Sequence, residues 1–313
     1  MKPSTVEKTP VYKTNLWVPK KNGLGIKNWL INHTSAHSYS WKFYLGVFRG
    51  ILKGSRMMKY PVLGKIYKTL MMFGNENRHT SATVYNLNVD VSDKAKSSVI
   101  PMDLVKDAIK QAGYIASMKT CLCRDAQNCK DYPKDVCCLF LSKSGKRVVS
   151  HDIAYEISKE DALKRVDQAA KLGLICQSLW VEVEQLIWGF ANDEMEHFVE
   201  ICFCCPCCCV GFNLSRNASR EIKERFRPTG WTAIVDKDAC TGCGECCPPG
   251  LCPQDAISMV DGKAEVVQDY CVGCGICKSR CSFDAIKIRQ TKPMLGSMKE
   301  YFLKEGGLDL KFK

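Results

Sequence analysis

The sequence contains no apolar run long enough to span a membrane. Its longest charge-free apolar run, residues 201–214, has 14 residues and is rich in cysteine, whereas a spanning helix needs about 18 to 20. Residues 1–28 lack both a twin-arginine pair and the apolar segment of about 7 to 15 residues that marks a secretory signal. We therefore expect a cytoplasmic protein that does not cross a bilayer.

Several catalytic signatures are also missing. The chain has no Gly-x-Gly-x-x-Gly fingerprint, no phosphate-binding loop and no ordered set of Ser, His and Asp. These absences argue against nucleotide-binding and acyl-transfer sites. The catalytic residues, if the protein is an enzyme, stay unassigned.

Acidic residues are nearly absent from the first part of the chain. Residues 1–72 hold 13 of the 45 lysines and arginines but only one acid, Glu7. The whole net charge of +12 therefore arises in this segment, and the rest of the chain is neutral overall.

This basic segment contains two amphipathic patterns. Over residues 41–53, Lys42, Arg49 and Lys53 share one side of a helix and aromatic or aliphatic residues cover the other; the stretch after Pro61 repeats the arrangement. Basic amphipathic helices are typical of segments that lie in an anionic membrane surface. Docking on a partner subunit and packing on the protein's own core are the alternatives. No nucleic-acid recognition motif accompanies the charge, so a nucleic-acid partner is not expected.

Cysteine is the most over-represented residue. The chain has 21 cysteines, an odd number, arranged as Cys-x-x-Cys and Cys-Cys runs. This arrangement argues against a disulfide framework and favours thiolates that bind metal in a reducing compartment.

Two segments near the C-terminal end repeat one motif. Each begins with Cys-x-x-Cys-x-x-Cys, at Cys240 and at Cys271, and is followed by a further cysteine. Three thiolates at this spacing can converge on three irons of one 4Fe-4S cluster, and the intervening glycines permit the tight backbone path. A pair of zinc sites is the alternative, since Cys-x-x-Cys also binds zinc. The sequence Asp261-Gly262 between the repeats predicts a β-hairpin.

These motifs resemble those of bacterial-type two-cluster 4Fe-4S ferredoxins. The resemblance covers about residues 231–290 and implies that the remote fourth cysteine of each motif binds the other cluster. The implied ligands of the first cluster are Cys240, Cys243, Cys246 and Cys281. The implied ligands of the second cluster are Cys271, Cys274, Cys277 and Cys252. The adjacent Cys247 leaves open which of Cys246 and Cys247 is the third ligand of the first cluster.

Two further groups of cysteines lie in the middle of the chain, without standard ferredoxin spacing. We expect them to meet in space and form at least one extra metal centre, an Fe-S cluster or zinc. Its candidate ligands are Cys121, Cys123, Cys129, Cys138, Cys202, Cys204, Cys205, Cys207 and Cys208. Arg124, beside Cys123, either stabilises a reduced cluster or is an ordinary charge on a helix surface.

The patterns divide the chain into four regions. These are a basic docking region (1–98), a mainly helical cysteine-rich domain (99–230), the two-cluster ferredoxin domain (231–290) and a tail (291–313). The predicted fold class is therefore α+β. Residues 100–290 resemble uncharacterised ferredoxin-domain proteins of anaerobic bacteria and archaea, a resemblance that brings no catalytic residues.

The sequence favours an iron-sulfur electron-transfer protein. It would relay single electrons between a redox partner protein and the central metal centre or a partner enzyme, with residues 1–72 docked peripherally on the cytoplasmic membrane face. Two alternatives remain open: a reductase whose catalytic centre is the cysteine-ligated site within residues 121–209, and a redox sensor or activator protein.

Overall fold

The computed structural model describes residues 39–72, 80–89, 100–190 and 193–312. Residues 1–38, 73–79 and 90–98 of the predicted docking region lie outside the described residues. Within the described ranges, no helix is long and apolar enough to cross a membrane.

A seven-stranded sheet forms the centre of the fold, in the order β4-β2-β3-β6-β5-β1-β7. Strand β7 runs parallel to β1, and the other neighbouring strands of this sheet pair antiparallel. Its strands are β1 (Thr80–Tyr85), β2 (Ile115–Met118), β3 (Leu139–Leu141), β4 (Ala154–Glu156), β5 (Ile175–Val181), β6 (Val199–Cys204) and β7 (Phe226–Pro228).

Helices flank the sheet and connect its strands. They are α1 (Trp41–Ser55), α2 (Pro61–Met72), α3 (Pro101–Gln111), α4 (Leu122–Ala126), α5 (Gly145–Ser150), α6 (Lys159–Lys171), α7 (Glu182–Trp188), α8 (Val210–Asn217), α9 (Arg220–Lys223) and α10 (Met298–Glu300). The first residues of two helices follow directly from the sequence. Pro101 opens α3, and the Ser158 hydroxyl accepts a hydrogen bond from the Asp161 amide at the start of α6.

The α+β class is confirmed, and the central domain contains, besides its helices, six of the seven strands of a sheet that the sequence did not predict. Every residue of β2, β3 and β6 is buried, so these strands read as short apolar runs without the alternation of a half-exposed strand. Cysteines occupy several of the β5 and β6 positions, and their ligand spacing masks the strand pattern. Strand β1 also belongs to this sheet although it precedes residue 98.

The segment after residue 230 adds two small sheets. Strands β9 (Ile257–Val260) and β10 (Lys263–Val266) form the predicted hairpin, with positive φ angles at Asp261 and Gly262. Strands β8 (Trp231–Val235) and β11 (Ile286–Gln290) pair antiparallel.

The last described residues return to the main core. Tyr301, Phe302, Leu308 and Leu310 are buried against the central sheet and its helices. The Phe312 carbonyl accepts a hydrogen bond of 2.9 Å from the Gly113 amide. Residues 231–290 are therefore flanked in sequence by two pieces of one core.

Helix α1 uses much of its apolar face within the protein. Tyr44 and Phe48 are buried and lie next to the Trp188 ring, at centroid distances of 5.6 and 6.3 Å. The Trp41 indole donates to Asp125 at 2.6 Å, and Arg49 donates to the Ala126 carbonyl at 2.8 Å. Helix α1 therefore packs on the protein's own core, as one of the alternatives for the basic segment predicted.

Helix α2 presents a different surface. Val62, Leu63 and Ile66 are exposed, with Val62 at 72%. Together with Met57 and Tyr60, they form what we term the apolar patch, and Arg56, Lys59 and Lys65 are exposed beside it.

Candidate metal centres

The predicted ligands of the first cluster line one cavity. Cys240, Cys243, Cys246 and Cys281 meet there together with Met259, Phe283 and neighbouring small residues. Cys243 is exposed, and the Phe283 ring at the rim is 51% exposed. This cavity therefore lies at the protein surface.

The predicted ligands of the second cluster line a second cavity. Cys252, Cys271, Cys274 and Cys277 converge there, and Cys246 contributes to its wall. All four are partly buried. Cys247 is absent from the lining of both cavities, and its thiol donates instead to the Gly244 carbonyl at 3.7 Å.

Backbone amides point at the sulfurs of both sets. Ala233 donates to Cys271 Sγ at 3.3 Å, Ala256 to Cys252 Sγ at 3.3 Å and Ala264 to Cys240 Sγ at 3.4 Å. The amides of Ala264 and Gly242 lower the pKa of Cys240. Such bonds favour the thiolate form and tune the potential of a bound cluster. Four converging thiols with amide donors fit a 4Fe-4S cluster in each cavity.

The loop of the second cluster passes very close to strand β8. Gly273 has φ of +66°, and a Cβ placed on it would lie 2.0 Å from the Trp231 carbonyl oxygen. The Asn86 side chain donates to the Gly273 carbonyl at 3.1 Å. Only glycine fits this approach without displacing the strand.

A third cavity, of about 160 Å³, lies in the central region. Its walls are mostly apolar, with contributions from Phe48, Leu179, Trp188 and Phe226. Its lining also includes the cysteines Cys121, Cys123, Cys138, Cys202, Cys204, Cys205 and Cys209. We refer to it as the thiol-lined cavity.

Both central cysteine groups meet in space, at two places. In the thiol-lined cavity, Cys138 Sγ lies 3.0 Å from Cys202 Sγ, and the Cys202 thiol lies 3.2 Å from Glu200. At the second place, the sulfurs of Cys129, Cys205, Cys207 and Cys208 lie within 4.8 Å of one another. The nine predicted ligands thus lie at two neighbouring sites, and Cys205 contributes to both.

Three further residues of the thiol-lined cavity were not among the predicted ligands. Hydrogen bonds from Cys202 and, to a smaller extent, from Cys209 lower the pKa of the Cys204 thiol. Burial raises the pKa of both Glu184 and Glu200, which lie near each other. The sequence could have indicated Glu200, because an acidic residue is unusual within the apolar run of β6. It could also have indicated Cys209, because this residue continues the run of adjacent cysteines at 207–209.

Arg124 is fully buried and is not a charge on a helix surface. Its guanidinium donates to the carbonyls of Pro133 and Val136, each at 2.7 Å, and to that of Phe203. Burial alone would lower its pKa, but the thiols of Cys121, Cys205 and Cys204 raise it. Arg124 therefore supplies positive charge between the two central thiol sites.

The second cluster cavity and the thiol-lined cavity share an apolar contact region. Val272 and Ile276 lie in one buried cluster with Cys202, Cys204 and Cys209, and Cys274 packs against it. Polar contacts reinforce this junction: Ser215 donates to the Pro253 carbonyl at 2.8 Å, and Lys223 pairs with Asp255.

Known proteins match the C-terminal part of the chain. The 4Fe-4S binding domain family matches residues 264–287. Pyruvate synthase subunit PorD of Methanothermobacter marburgensis is 41% identical over 62 residues, which cover 19% of this chain and 67% of the relative. An uncharacterised ferredoxin of Methanocaldococcus jannaschii is 39% identical over 64 residues, covering 19% of this chain and 80% of the relative.

A longer relative, a reductase, matches over a smaller share of its length. Dihydromethanopterin reductase (acceptor) of Methanosarcina mazei is 41% identical over 54 residues, which cover 17% of this chain and 23% of that protein. No solved structure matches the chain significantly.

Proposed function

Since the chain belongs to the 4Fe-4S ferredoxin family, we propose that it relays single electrons between a redox partner and a metal centre in the thiol-lined cavity. Two 4Fe-4S clusters, when bound, would supply one-electron acceptors. Cys240, Cys243, Cys246 and Cys281 would hold the first cluster, and Cys252, Cys271, Cys274 and Cys277 the second.

The solvent exposure of the cluster ligands assigns the first cavity to the outer end of the relay and the second cavity to its inner end. Cys243 and Phe283 face solvent at the first cavity, so a redox partner docks there. All four cysteines of the second cavity are partly buried, and this cavity adjoins the central domain. The protein thereby shields the inner ligands from water and leaves one outer contact surface.

One observation carries the proposal. Cys274, a ligand of the second cluster, packs against the same buried apolar cluster as Cys202, Cys204 and Cys209 of the thiol-lined cavity. This apolar packing supports electron exchange between the two sites. The relatives include a pyruvate synthase subunit and a dihydromethanopterin reductase, which is consistent with a redox partner.

The relay can be tested on the full chain prepared without air. We expect about eight irons from the two ferredoxin motifs, plus the metal of the central centre. The protein is mixed rapidly with limiting dithionite, and low-temperature EPR of samples frozen at successive times measures which centre is reduced. The ferredoxin clusters should be reduced first and the central centre after them. Cys274→Ser should strongly slow reduction of the central centre, whereas the matched control Cys247→Ser should not.

Two results would contradict the relay. Equal rates of reduction of the central centre in both variants would exclude the second cluster as the inner site. Finding only the ferredoxin iron and no redox-active metal in the central region would remove the acceptor altogether.

A reductase is the second candidate function. The observation that favours it is the apolar cavity of about 160 Å³, which combines thiols with the carboxyl groups of Glu184 and Glu200. A carboxyl group whose pKa is raised can hold a proton at neutral pH, as a proton donor requires. An open metal position in the cavity would bind carbon monoxide and change the spectrum of the central centre alone; an unchanged spectrum would argue against this candidate.

The apolar patch is the proposed site of peripheral membrane docking. Its exposed side chains, with Val62 at 72% and Tyr60 at 62%, stand beside Arg56, Lys59 and Lys65. Apolar side chains would enter the headgroup boundary while each cation near an anionic leaflet contributes about 1 kcal/mol. A membrane surface fits this combination of charge and exposed apolar area.

Vesicle flotation provides the test. The full chain should float with vesicles containing phosphatidylserine and not with neutral phosphatidylcholine vesicles. Val62→Asp should weaken binding about tenfold, because burying one valine contributes about 1.5 kcal/mol. Val260→Asp, a matched change at an exposed valine outside the patch, should have no effect. Absence of binding to both vesicle types would leave a partner subunit as the occupant of the patch.

A further inference from the structure

Four thiols form a compact group beside the thiol-lined cavity. Cys129 comes from the loop after α4, and Cys205, Cys207 and Cys208 come from the turn between β6 and α8. Their sulfurs all lie within 4.8 Å of one another, and Cys129 Sγ is 3.8 Å from Cys207 Sγ. Cys207 is exposed, so the group is open to an ion from solvent.

The separation of the sulfurs indicates a single ion rather than a cluster. Four thiolates around one tetrahedral zinc, at about 2.3 Å each, place neighbouring sulfurs ~3.8 Å apart. In a 4Fe-4S cluster each thiolate binds a different iron at the corner of a cube, so the sulfurs lie farther apart. We propose that Cys129, Cys205, Cys207 and Cys208 bind one divalent ion of the zinc class.

The turn that carries three of these cysteines is held by hydrogen bonds from several side chains. Asn213 donates to the carbonyls of Cys207 and Cys209 at 3.1 and 3.0 Å, and Arg216 donates to that of Pro206 at 2.8 Å. Gln127 donates to the Cys208 carbonyl. These contacts fix the backbone of the turn, as the outer shell of a metal site requires.

Charge and amide donors also suit bound thiolates. The Cys208 amide donates to Cys205 Sγ at 3.3 Å. Within the part of the chain that the structure describes, no carboxylate pairs with the buried Arg124, and the Cys205 thiol is among its neighbours. A tetrathiolate site with a divalent ion carries a net negative charge, which would balance this buried cation.

The site would join two segments that are distant in sequence. It connects the loop at Cys129 to the turn at residues 205–208, where Cys205 also lines the thiol-lined cavity. Because zinc has no redox chemistry, the site is structural and does not depend on the proposed electron relay. Cys121, Cys123, Cys138, Cys202, Cys204 and Cys209 remain for the cavity itself.

Metal analysis of the full chain tests this site. The chain should be expressed without air, with iron and zinc both supplied. We expect about one zinc per chain, with four sulfur neighbours at about 2.3 Å by X-ray absorption spectroscopy. Cys207→Ser should lower zinc affinity more than about tenfold. Cys247→Ser is the matched control and should retain zinc.

The ferredoxin iron content serves as the internal measure of folding. Cys207→Ser should keep it unchanged, because the exposed Cys207 lies outside both ferredoxin cavities. Absence of zinc from the wild-type protein, or equal zinc in Cys207→Ser, would overturn the proposal. Loss of about four irons instead of zinc would identify a third cluster and overturn it as well. The relay can fail while the zinc site stands, since the two experiments measure different metals.

Discussion

Replacing Gly273 with alanine is expected to remove the second cluster, which is about four of the eight irons that the ferredoxin motifs would bind. The residue has φ of +66°, and the new Cβ would lie 2.0 Å from the Trp231 carbonyl oxygen. Trp231 belongs to β8, which pairs with β11, so this strand cannot retreat without breaking its ladder. The Cys271 and Cys274 thiols on either side of Gly273 would be displaced. Iron analysis and EPR of the reduced protein measure the loss.

Gly250→Ala is the matched control for the steric argument. Gly250 also has a positive φ, +77°, but a Cβ there would meet nothing within 4 Å. This variant should lose only about 1 to 2 kcal/mol of folding free energy, because alanine disfavours a positive φ, and it should retain its iron. Equal iron contents in the two variants would show that the approach of Gly273 to β8 does not determine cluster binding.

Replacing Arg124 with methionine is expected to lower the free energy of unfolding by about 3 to 5 kcal/mol, because the neighbouring thiols of Cys121 and Cys205, if ionised, would be left as buried charges without their cation. Methionine fills much of the volume but cannot donate to the carbonyls of Pro133, Val136 and Phe203. The buried thiolates would also lose their neighbouring cation. Guanidinium unfolding of the metal-loaded protein, performed without air, measures the change.

Two further variants separate charge from hydrogen bonding. Arg124→Lys retains the positive charge but cannot donate to three carbonyls at once. Its free energy of unfolding should therefore lie between those of the wild type and Arg124→Met. Arg56→Gln, at an exposed arginine, should change the stability by no more than about 0.5 kcal/mol. A similarly small change in Arg124→Met would mean that the central thiols do not need a buried cation.

Features fixed by short-range spacing could be predicted from the sequence. The cysteines of the ligand sets that the ferredoxin resemblance implies line two cavities, with Cys246 in the wall of both. Asp261 and Gly262 form a hairpin turn because both adopt positive φ. The starts of α3 and α6 depend on Pro101 and Ser158, which act on their own first turns.

Features that depend on long-range pairing could not be predicted in the same way. The cysteine positions of β5 and β6 indicated ligands, and nothing local showed that they belong to adjacent strands with Cys176 opposite Phe203. The division of nine candidate ligands between two sites depends on how the loop at Cys129 folds onto the turn at Cys207. Helical periodicity likewise located the apolar face of α1 but could not identify Trp188 as the residue that covers it.

The position of the ferredoxin segment between two pieces of the main core has a consequence for how it works. Strand β7 of the central sheet ends at Pro228, just before β8, and Tyr301 and Phe302 anchor the chain again after β11. In the proposed relay, a segment held at both ends and packed on the central domain would keep the spacing between the inner centres fixed. The redox partner would then have to reach the segment, because the segment would not move as a separate carrier.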